Sequence, residues 1–225
     1  MNRRWTAPAI LLLALVAGCA PEPFQRAPLP LLKDVNPQAV RNTFARGVPD
    51  RFTSDDTIII HAPFHHDLAI LGVLRVNRPA GTFELVGLNQ LGVELFQLSG
   101  DSQGETIRSA LPPLMKQKSV LLAIAKDIRR MYFDLVPEKD AKIETDSNTV
   151  QFTEDTRHGE LVYEFGGDPP VLLEKRHEGW FGASWKVRYY DYASSSGRLY
   201  PRGIVMDNGH YHYRIIVKNR DLGAE

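Results

Sequence analysis

Short apolar runs separated by turn residues dominate the first half of the chain. Four of them stand at 57–61, 68–76, 83–88 and 93–98. Short strands at close spacing, with glycine and asparagine between them, are typical of antiparallel hairpins. In the third run Phe83 and Leu85 share one face and Glu84 lies on the other, as expected for a strand with one buried side.

The hydrophobic period changes in the middle of the chain. From Pro113 to about Leu135 apolar residues recur at spacings of three and four, which predicts one amphipathic helix that ends before Pro137. A polar stretch at 138–148 is predicted to be a loop. Strand patterns then return at 161–165, 171–175, 185–189 and 211–215.

The order of elements predicts the fold class. A short helix from Asn36 to about Arg46 is expected ahead of the strands, because asparagine is a favourable N-cap and Pro37 suits the first helical position. Strands, one long helix and then more strands indicate an α+β fold, a large antiparallel sheet with a helix laid on it.

A secretory signal pattern precedes these elements. Arg3 and Arg4 are followed by an apolar run over 9–17, and then by Gly18 and Cys19. A cysteine after Ala-Gly is typical of the bacterial lipobox. There the cysteine thiol receives a diacylglycerol, the signal peptide is cleaved before the cysteine, and the amino group that this exposes is acylated. A transmembrane anchor is the alternative, but it needs about 20 apolar residues.

These patterns divide the chain into three parts. We expect a lipoprotein signal peptide at 1–18, a proline-rich tether at 19–33 that lifts the domain off the bilayer, and a single domain at 34–225. The only covalent groups expected are the acyl chains on Cys19, and no cofactor is predicted. Ala20 follows the cysteine and, by analogy with proteobacterial sorting, favours the outer membrane over the inner one.

Charge and motif content narrow the function. The chain has 27 basic and 27 acidic side chains, and loss of residues 1–18 removes Arg3 and Arg4, so we expect no nucleic-acid partner. With Cys19 acylated, no thiol remains for disulfides or zinc. No Walker loop, dinucleotide fingerprint or G-x-S-x-G elbow is present. We therefore expect a protein that is not an enzyme, with a lipid hydrolase as the weakest alternative.

The remaining candidate for a binding site is an apolar surface. A sheet rich in leucine, valine, phenylalanine and tyrosine faces an amphipathic helix. Such a pair forms either an ordinary packed core or a cavity that holds acyl chains. Composition does not separate the two, and both interpretations stay open.

The last third of the chain resembles the LolB family of outer-membrane lipoproteins, whose members receive other lipoproteins from a periplasmic LolA carrier. The similar residues are Ser184-Trp185-Lys186-Val187, Leu199-Tyr200-Pro201 and Arg214 to Lys218. The resemblance extends to 88–95, a hairpin like the one that carries a protruding Leu-Gly tip in that family. Leu29-Pro30 and 83–88 also resemble LolB-like lipoproteins of aryl-polyene and fatty-acid-type clusters.

The resemblance implies a fold and a set of site residues. The fold would be an incomplete antiparallel β-barrel, LolA/LolB-like, with a helix lid over an apolar cavity. Leu91 would be the membrane-insertion residue, with a buried hairpin position as the alternative. Together with the periodicity, it suggests the cavity-lining residues Phe83, Leu85, Leu95, Leu121, Ile124 and Ile128.

The leading hypothesis is therefore an outer-membrane lipoprotein on the periplasmic face that accepts or transfers acylated cargo. Its expected partners are outer-membrane lipid, the acylated cargo and a LolA-like periplasmic carrier, and we expect a monomer. The alternative is a scaffold lipoprotein of a membrane-associated lipid or polyene biosynthetic system, whose core would be packed solid.

Overall fold

One antiparallel sheet runs through the whole molecule in the computed structural model. The structure describes residues 23–24, 36–61, 67–180, 184–195 and 197–224, the last four of them by backbone only. The helices are α1 (Pro37–Gly47), α2 (Pro112–Met115) and α3 (Lys118–Tyr132). The strands are β1 (Arg51–His61), β2 (Leu68–Asn77), β3 (Thr82–Leu88), β4 (Glu94–Asp101), β5 (Gly104–Ala110), β6 (Lys142–Thr145), β7 (Thr149–Thr156), β8 (Gly159–Gly166), β9 (Val171–Gly179), β10 (Trp185–Ser195), β11 (Arg198–Asn208) and β12 (Tyr213–Ala224).

The twelve strands form a single unclosed sheet in the order β5-β4-β3-β2-β1-β12-β11-β10-β9-β8-β7-β6. Its inner face, defined by the buried alternate residues of the strands, packs on α3 and α1 around one hydrophobic core. In β3 the pattern alternates as predicted, with Phe83 and Leu85 buried. The predicted fold class, an incomplete antiparallel barrel with a helix laid on it, is confirmed.

The first helix closes one end of the core. The Asn36 side chain accepts hydrogen bonds from the backbone N–H groups of Gln38 (3.0 Å) and Ala39 (3.2 Å), which makes it the N-cap that the sequence predicts. Phe44 of α1 packs edge-on against Phe165 of β8, with ring centroids 5.1 Å apart. Helix α1 therefore belongs to the core.

Several predicted elements are corrected by the structure. The single helix expected from Pro113 is two helices, α2 and α3, separated at Lys116–Gln117, and the second ends at Tyr132. Part of the predicted loop at 138–148 is the exposed strand β6. The Leu199-Tyr200-Pro201 segment, which carries part of the family resemblance, lies within β11 and pairs with 192–194 of β10.

Phe24, which lies in the predicted proline-rich tether, contacts the domain. The Phe24 ring lies 5.3 Å from that of Tyr190, and a Cβ placed on Gly203 would meet Phe24 ring atoms at 2.8 Å. Because Gly203 has no side chain, the ring packs directly on the backbone of β11. Phe24 is therefore in contact with the sheet.

Candidate functional site

A small apolar space lies between α3 and the inner face of the sheet. Its volume is about 20 Å³, roughly that needed by a single water molecule. It is lined by Asp56, Ile58, Ile60, Ile70, Leu74, Leu85, Phe96, Ile124, Ile128, Met131, Tyr132, Ile215 and Val217. Ligand pockets are usually about 300–1,000 Å³, so in this conformation α3 is closed onto the sheet and the interior is nearly filled.

A second space lies towards α1. It has a volume of about 30 Å³ and is lined by Phe44, Phe52, Arg78, Tyr189, Tyr192 and Leu199, among others. Tyr132, the last residue of α3, lines both spaces. The two spaces therefore share one lining side chain.

The six residues predicted to line a cavity occupy three kinds of position. Leu85, Ile124 and Ile128 line the apolar space between α3 and the sheet. Phe83 and Leu121 are buried in the same core, away from that space. Leu95 is half-buried and packs on the core from its edge, since the bulge between β3 and β4 puts Phe96 on the inner face.

Sequence reasoning missed residues of the lining in β1, β2 and β12. Ile58, Ile70 and Ile215 belong to strands that the pattern did predict, but an apolar strand pattern does not tell which strands curl around one helix. Phe96 was also missed. The strict alternation of Phe96 with Leu98 was the available signal for its inward position.

Hydrogen bonds from the sheet fasten the C-terminal end of α3. The last carbonyl groups of a helix have no partner within the helix, and here side chains of the sheet and of the turn after β2 satisfy them. Tyr189 Oη donates to Met131 O (2.9 Å), Arg78 Nε to Tyr132 O (2.7 Å), and Lys175 Nζ to Phe133 O (2.7 Å) and Asp134 O (3.1 Å). Burial lowers the pKa of Lys175 to about 7. Arg78 is a cationic donor, which suits the negative end of the helix dipole.

A buried carboxylate joins the middle of α3 to the sheet. Asp127 is 0% exposed and accepts hydrogen bonds from Asn208 Nδ2 (3.0 Å), from the Tyr213 hydroxyl and from Arg130 Nη1 (2.6 Å). Burial raises the pKa of Asp127 above its usual range, and these hydrogen bonds oppose the rise. Asn208 ends β11 and Tyr213 begins β12, so this cluster ties α3 to both strands.

Exposed apolar side chains gather at one end of the sheet. We call this end the hairpin rim; it carries the turns at 89–93, 157–158 and 209–212 and the start of β10. Seven of the nine large apolar side chains that are exposed in the described part of the chain lie there: Leu68, Leu91, Val93, Leu111, Met115, Trp180 and Tyr211. Lys116, Lys118 and Arg157 are exposed at the same end. Apolar and basic side chains on one surface are typical of a protein or membrane contact.

Leu91 and Trp180 are the most exposed members of the rim. Leu91 is 88% exposed and Trp180 is 68% exposed. The Asn89 side chain builds the turn that presents Leu91, since its Oδ1 accepts from the backbone N–H groups of Leu91 and Val93, both at 2.9 Å. Gly92 completes the turn at a φ of +78°, which suits a residue without a Cβ. Leu91 is thus not the buried hairpin residue of the alternative interpretation.

The predicted lipidation residue, Cys19, lies outside the described residues. Among the helices that the structure describes, none combines the length and the apolar character needed to cross a bilayer. Within the described ranges no three His, Cys, Asp or Glu side chains come together as metal ligands.

Comparison with known proteins gives a likeness of fold. No family model matches the chain, and no curated protein matches it in sequence. Among solved structures, a LolA superfamily protein from Nitrosomonas europaea is similar with a TM-score of 0.53 and 9% identity, over 85% of this chain and 94% of that one. A putative outer membrane lipoprotein-sorting protein domain from Vibrio parahaemolyticus has a TM-score of 0.46 and 10% identity, over 83% and 90% of the two chains. At these identities the likeness shows that the chain shares the fold of a LolA superfamily protein.

Proposed function

We propose that this protein binds the acyl chain of a lipid or lipoprotein between α3 and the inner face of the sheet, as a carrier or acceptor and not as an enzyme. The observation that carries the proposal is the unclosed apolar sheet covered by one helix. The fold shared with a LolA superfamily protein supports it. Twelve of the thirteen residues that line the space beneath α3 are apolar or aromatic, which suits a hydrocarbon ligand.

Binding requires α3 to move, because the closed interior holds about 20 Å³. The hydrogen bonds described above hold the C-terminal half of α3, from Asp127 onwards. The N-terminal half contributes Leu121 and Ile124 to the core by apolar packing. An acyl chain can replace such packing at little cost, since apolar contacts are not directional. We infer that the N-terminal half swings outward while the C-terminal half acts as the hinge.

The direct test is binding of an acyl probe to the chain that starts at Ala20, which keeps every residue the structure describes. We expect saturable binding of a fatty-acid probe in the absence of vesicles. Isoleucine methyl resonances report where it binds: those of Ile58, Ile124 and Ile128 beneath α3 should shift. Ile143 on the exposed strand β6 is the internal control and should not shift. Absence of saturable binding, or equal shifts at all isoleucines, would contradict the carrier function.

The nearly filled interior favours a second candidate, the scaffold lipoprotein with a solid core. A scaffold would use its surface, and its core would exclude acyl chains in every conformation. The same titration separates the two functions, because a scaffold gives no saturable shift at Ile124 or Ile128.

We further propose that the protein is a lipoprotein anchored at Cys19 to the periplasmic face of the outer membrane, and that it takes its cargo there from a LolA-like carrier. The hairpin rim is the surface suited to membrane contact. Leu91 and Trp180 project from it, and tryptophan is enriched at membrane interfaces. The exposed basic side chains Lys116 and Lys118 beside Met115 suit an anionic lipid surface.

Substitution of Leu91 tests the membrane contact. We expect Leu91→Glu, in the chain that starts at Ala20, to weaken binding to phosphatidylethanolamine–phosphatidylglycerol vesicles by about 10-fold or more, since burial of a leucine side chain contributes about 1.5–3 kcal/mol. The free energy of unfolding should change by less than about 0.5 kcal/mol, because the side chain is on the surface. Vesicle co-sedimentation and urea unfolding measure the two quantities.

The matched control is Ile143→Glu, which places the same charge at an exposed apolar residue on strand β6, outside the rim. This variant should bind vesicles as the parent chain does. Equal vesicle affinities for the parent chain and Leu91→Glu would remove the insertion role of Leu91.

A further inference from the structure

A carboxyl group stands in the apolar space beneath α3. Asp56 is 1% exposed, and it is the one acidic or basic residue among the lining residues. Its Oδ2 accepts a hydrogen bond from the Ser54 hydroxyl (2.9 Å), while its Oδ1 has no hydrogen-bond partner in the part of the chain that the structure describes. A buried polar atom without a partner is costly, so this oxygen requires an explanation.

The position of Asp56 on the sheet adds a second observation. Its neighbour across the sheet is Gly72 of β2, whose own neighbour is Gly87 of β3, followed by Phe96 of β4. Two adjacent strands thus have no side chain beside the carboxyl group. Glycine within a strand often marks a place where a ligand or another group approaches closely.

Movable side chains cover this glycine strip. A Cβ on Gly72 would lie 2.6 Å from Cδ1 of Ile58, and a Cβ on Gly87 would lie 2.6–2.9 Å from atoms of the Phe96 ring. Both covering groups are ends of side chains, so opening of the strip requires that they turn aside together with α3. The strip then becomes a shallow channel that leads away from Asp56 across β2 and β3.

We propose that Asp56 accepts, through Oδ1, a hydrogen bond from a hydroxyl or amide N–H group of the bound acyl molecule, and that the hydrocarbon chain lies along Gly72 and Gly87 in place of the Phe96 ring. This inference rests on the proposed carrier function and narrows its ligand class. A plain hydrocarbon chain would leave Oδ1 unpaired, whereas a hydroxyacyl or amide-linked chain satisfies it.

The test compares ligands that differ only in the hydrogen-bond donor. The probes are a saturated methyl ester, the methyl ester of the β-hydroxy acid of equal length, and the N-methyl amide of equal length, each used to displace a fluorescent acyl probe. At about pH 9, where Asp56 is ionised, we expect at least one of the two donor-bearing ligands to bind about 10-fold or more tightly than the plain ester, because a hydrogen bond to a charged acceptor contributes at least this much. The two donor ligands distinguish hydroxyacyl from amide-linked sources.

Substitutions and amide resonances test whether the preference for a hydrogen-bond donor arises at Asp56. In Asp56→Leu the preference for the donor should disappear while the plain ester still binds. Asp55→Asn, at the exposed neighbouring position, is the control and should keep the preference. Independently of any variant, the amide resonances of Gly72 and Gly87 should shift when a donor ligand binds to the parent chain.

The outcomes separate this inference from the function on which it rests. Equal affinities of the plain ester and both donor ligands, with saturable binding of all three, would overturn the role of Asp56 and leave the carrier function intact. A water molecule would then be the hydrogen-bond partner of Oδ1. A donor preference that persists in Asp56→Leu would also overturn it. Failure of all three ligands to bind would overturn the carrier function and this inference together.

Discussion

Replacement of Asp127 by alanine is expected to destabilise the protein by about 3–5 kcal/mol, since removal of one partner from a buried charge cluster leaves the others without compensation. The Tyr213 hydroxyl and the Asn208 amide would lose their buried acceptor, and Arg130 would lose its carboxylate. Asp127→Asn should cost less, because its amide oxygen still accepts a hydrogen bond. Urea unfolding measures both values.

Amide hydrogen exchange in Asp127→Ala shows which elements lose stability, and this tests the role of α3 more directly than the total loss of unfolding free energy does. If α3 is the lid of the acyl site, amide exchange should accelerate in α3 more than in β11 and β12, because Asp127 ties the helix to strands that have other neighbours in the sheet. Lys142→Ala is the control, since it breaks an exposed ion pair with Asp155 (3.0 Å) and should leave the free energy of unfolding nearly unchanged. Equal acceleration in helix and strands would mean that Asp127 supports the whole core and does not hold a lid.

Local patterns made a large part of the fold predictable. The N-cap at Asn36, the one-sided burial of β3 and the turn at 89–93 each depend on residues close in sequence, and each is as predicted. The break between α2 and α3 was not predicted, because no glycine or proline marks it and the interruption of the apolar period by four polar residues at 116–119 is short.

The candidate site was less predictable because it is assembled from distant parts of the chain. Asp127 meets Tyr213 across 86 positions in sequence, and no local pattern links them. Asp56 stands in a polar Ser-Asp-Asp stretch that indicates a solvated turn, and only the pairing of β1 with β2 and β12 turns its side chain inward. The roles of Leu91 and of the lining residues stay predictions, although the first is now known to be exposed.

The clustering at the hairpin rim shows the same dependence on pairing. Leu91, Trp180 and Tyr211 are far apart in sequence, and antiparallel order carries all of them to one end of the sheet. A single exposed leucine or tryptophan is ordinary on a protein surface. Their common position at one end of the sheet supports the proposed membrane contact, and that position is a property of the topology.

Asp56 is expected to give the protein an unusual dependence of stability on pH. Burial raises its pKa to about 7 in the folded state, with a further rise from Asp55 and opposing effects of the Ser54 hydrogen bond and of Arg220. In the unfolded chain an aspartate titrates near pH 4. Between these values the folded state binds the extra proton, so this group's contribution to stability is retained below about pH 4 and falls as pH rises to about 7. The total loss is about 4 kcal/mol, at 1.36 kcal/mol per unit.

Asp56→Asn isolates this effect, because the amide has nearly the same shape and does not titrate. We expect the variant to gain about 3 kcal/mol in unfolding free energy relative to the parent chain between about pH 5 and pH 8. Lys175 also titrates in this range, because its pKa is lowered to about 7 in the folded state. Its contribution to the unfolding free energy rises with pH above that value. The contribution is the same in the parent chain and in Asp56→Asn, so it cancels in the comparison. Asp55→Asn should keep most of the pH dependence of the parent chain, because Asp55 contributes less than burial to the raised pKa of Asp56. If Asp56 were instead already ionised in the folded state at low pH, the stability of Asp56→Asn would run parallel to that of the parent chain. A carboxyl group that costs this much stability at neutral pH is the kind of residue that proteins keep for binding.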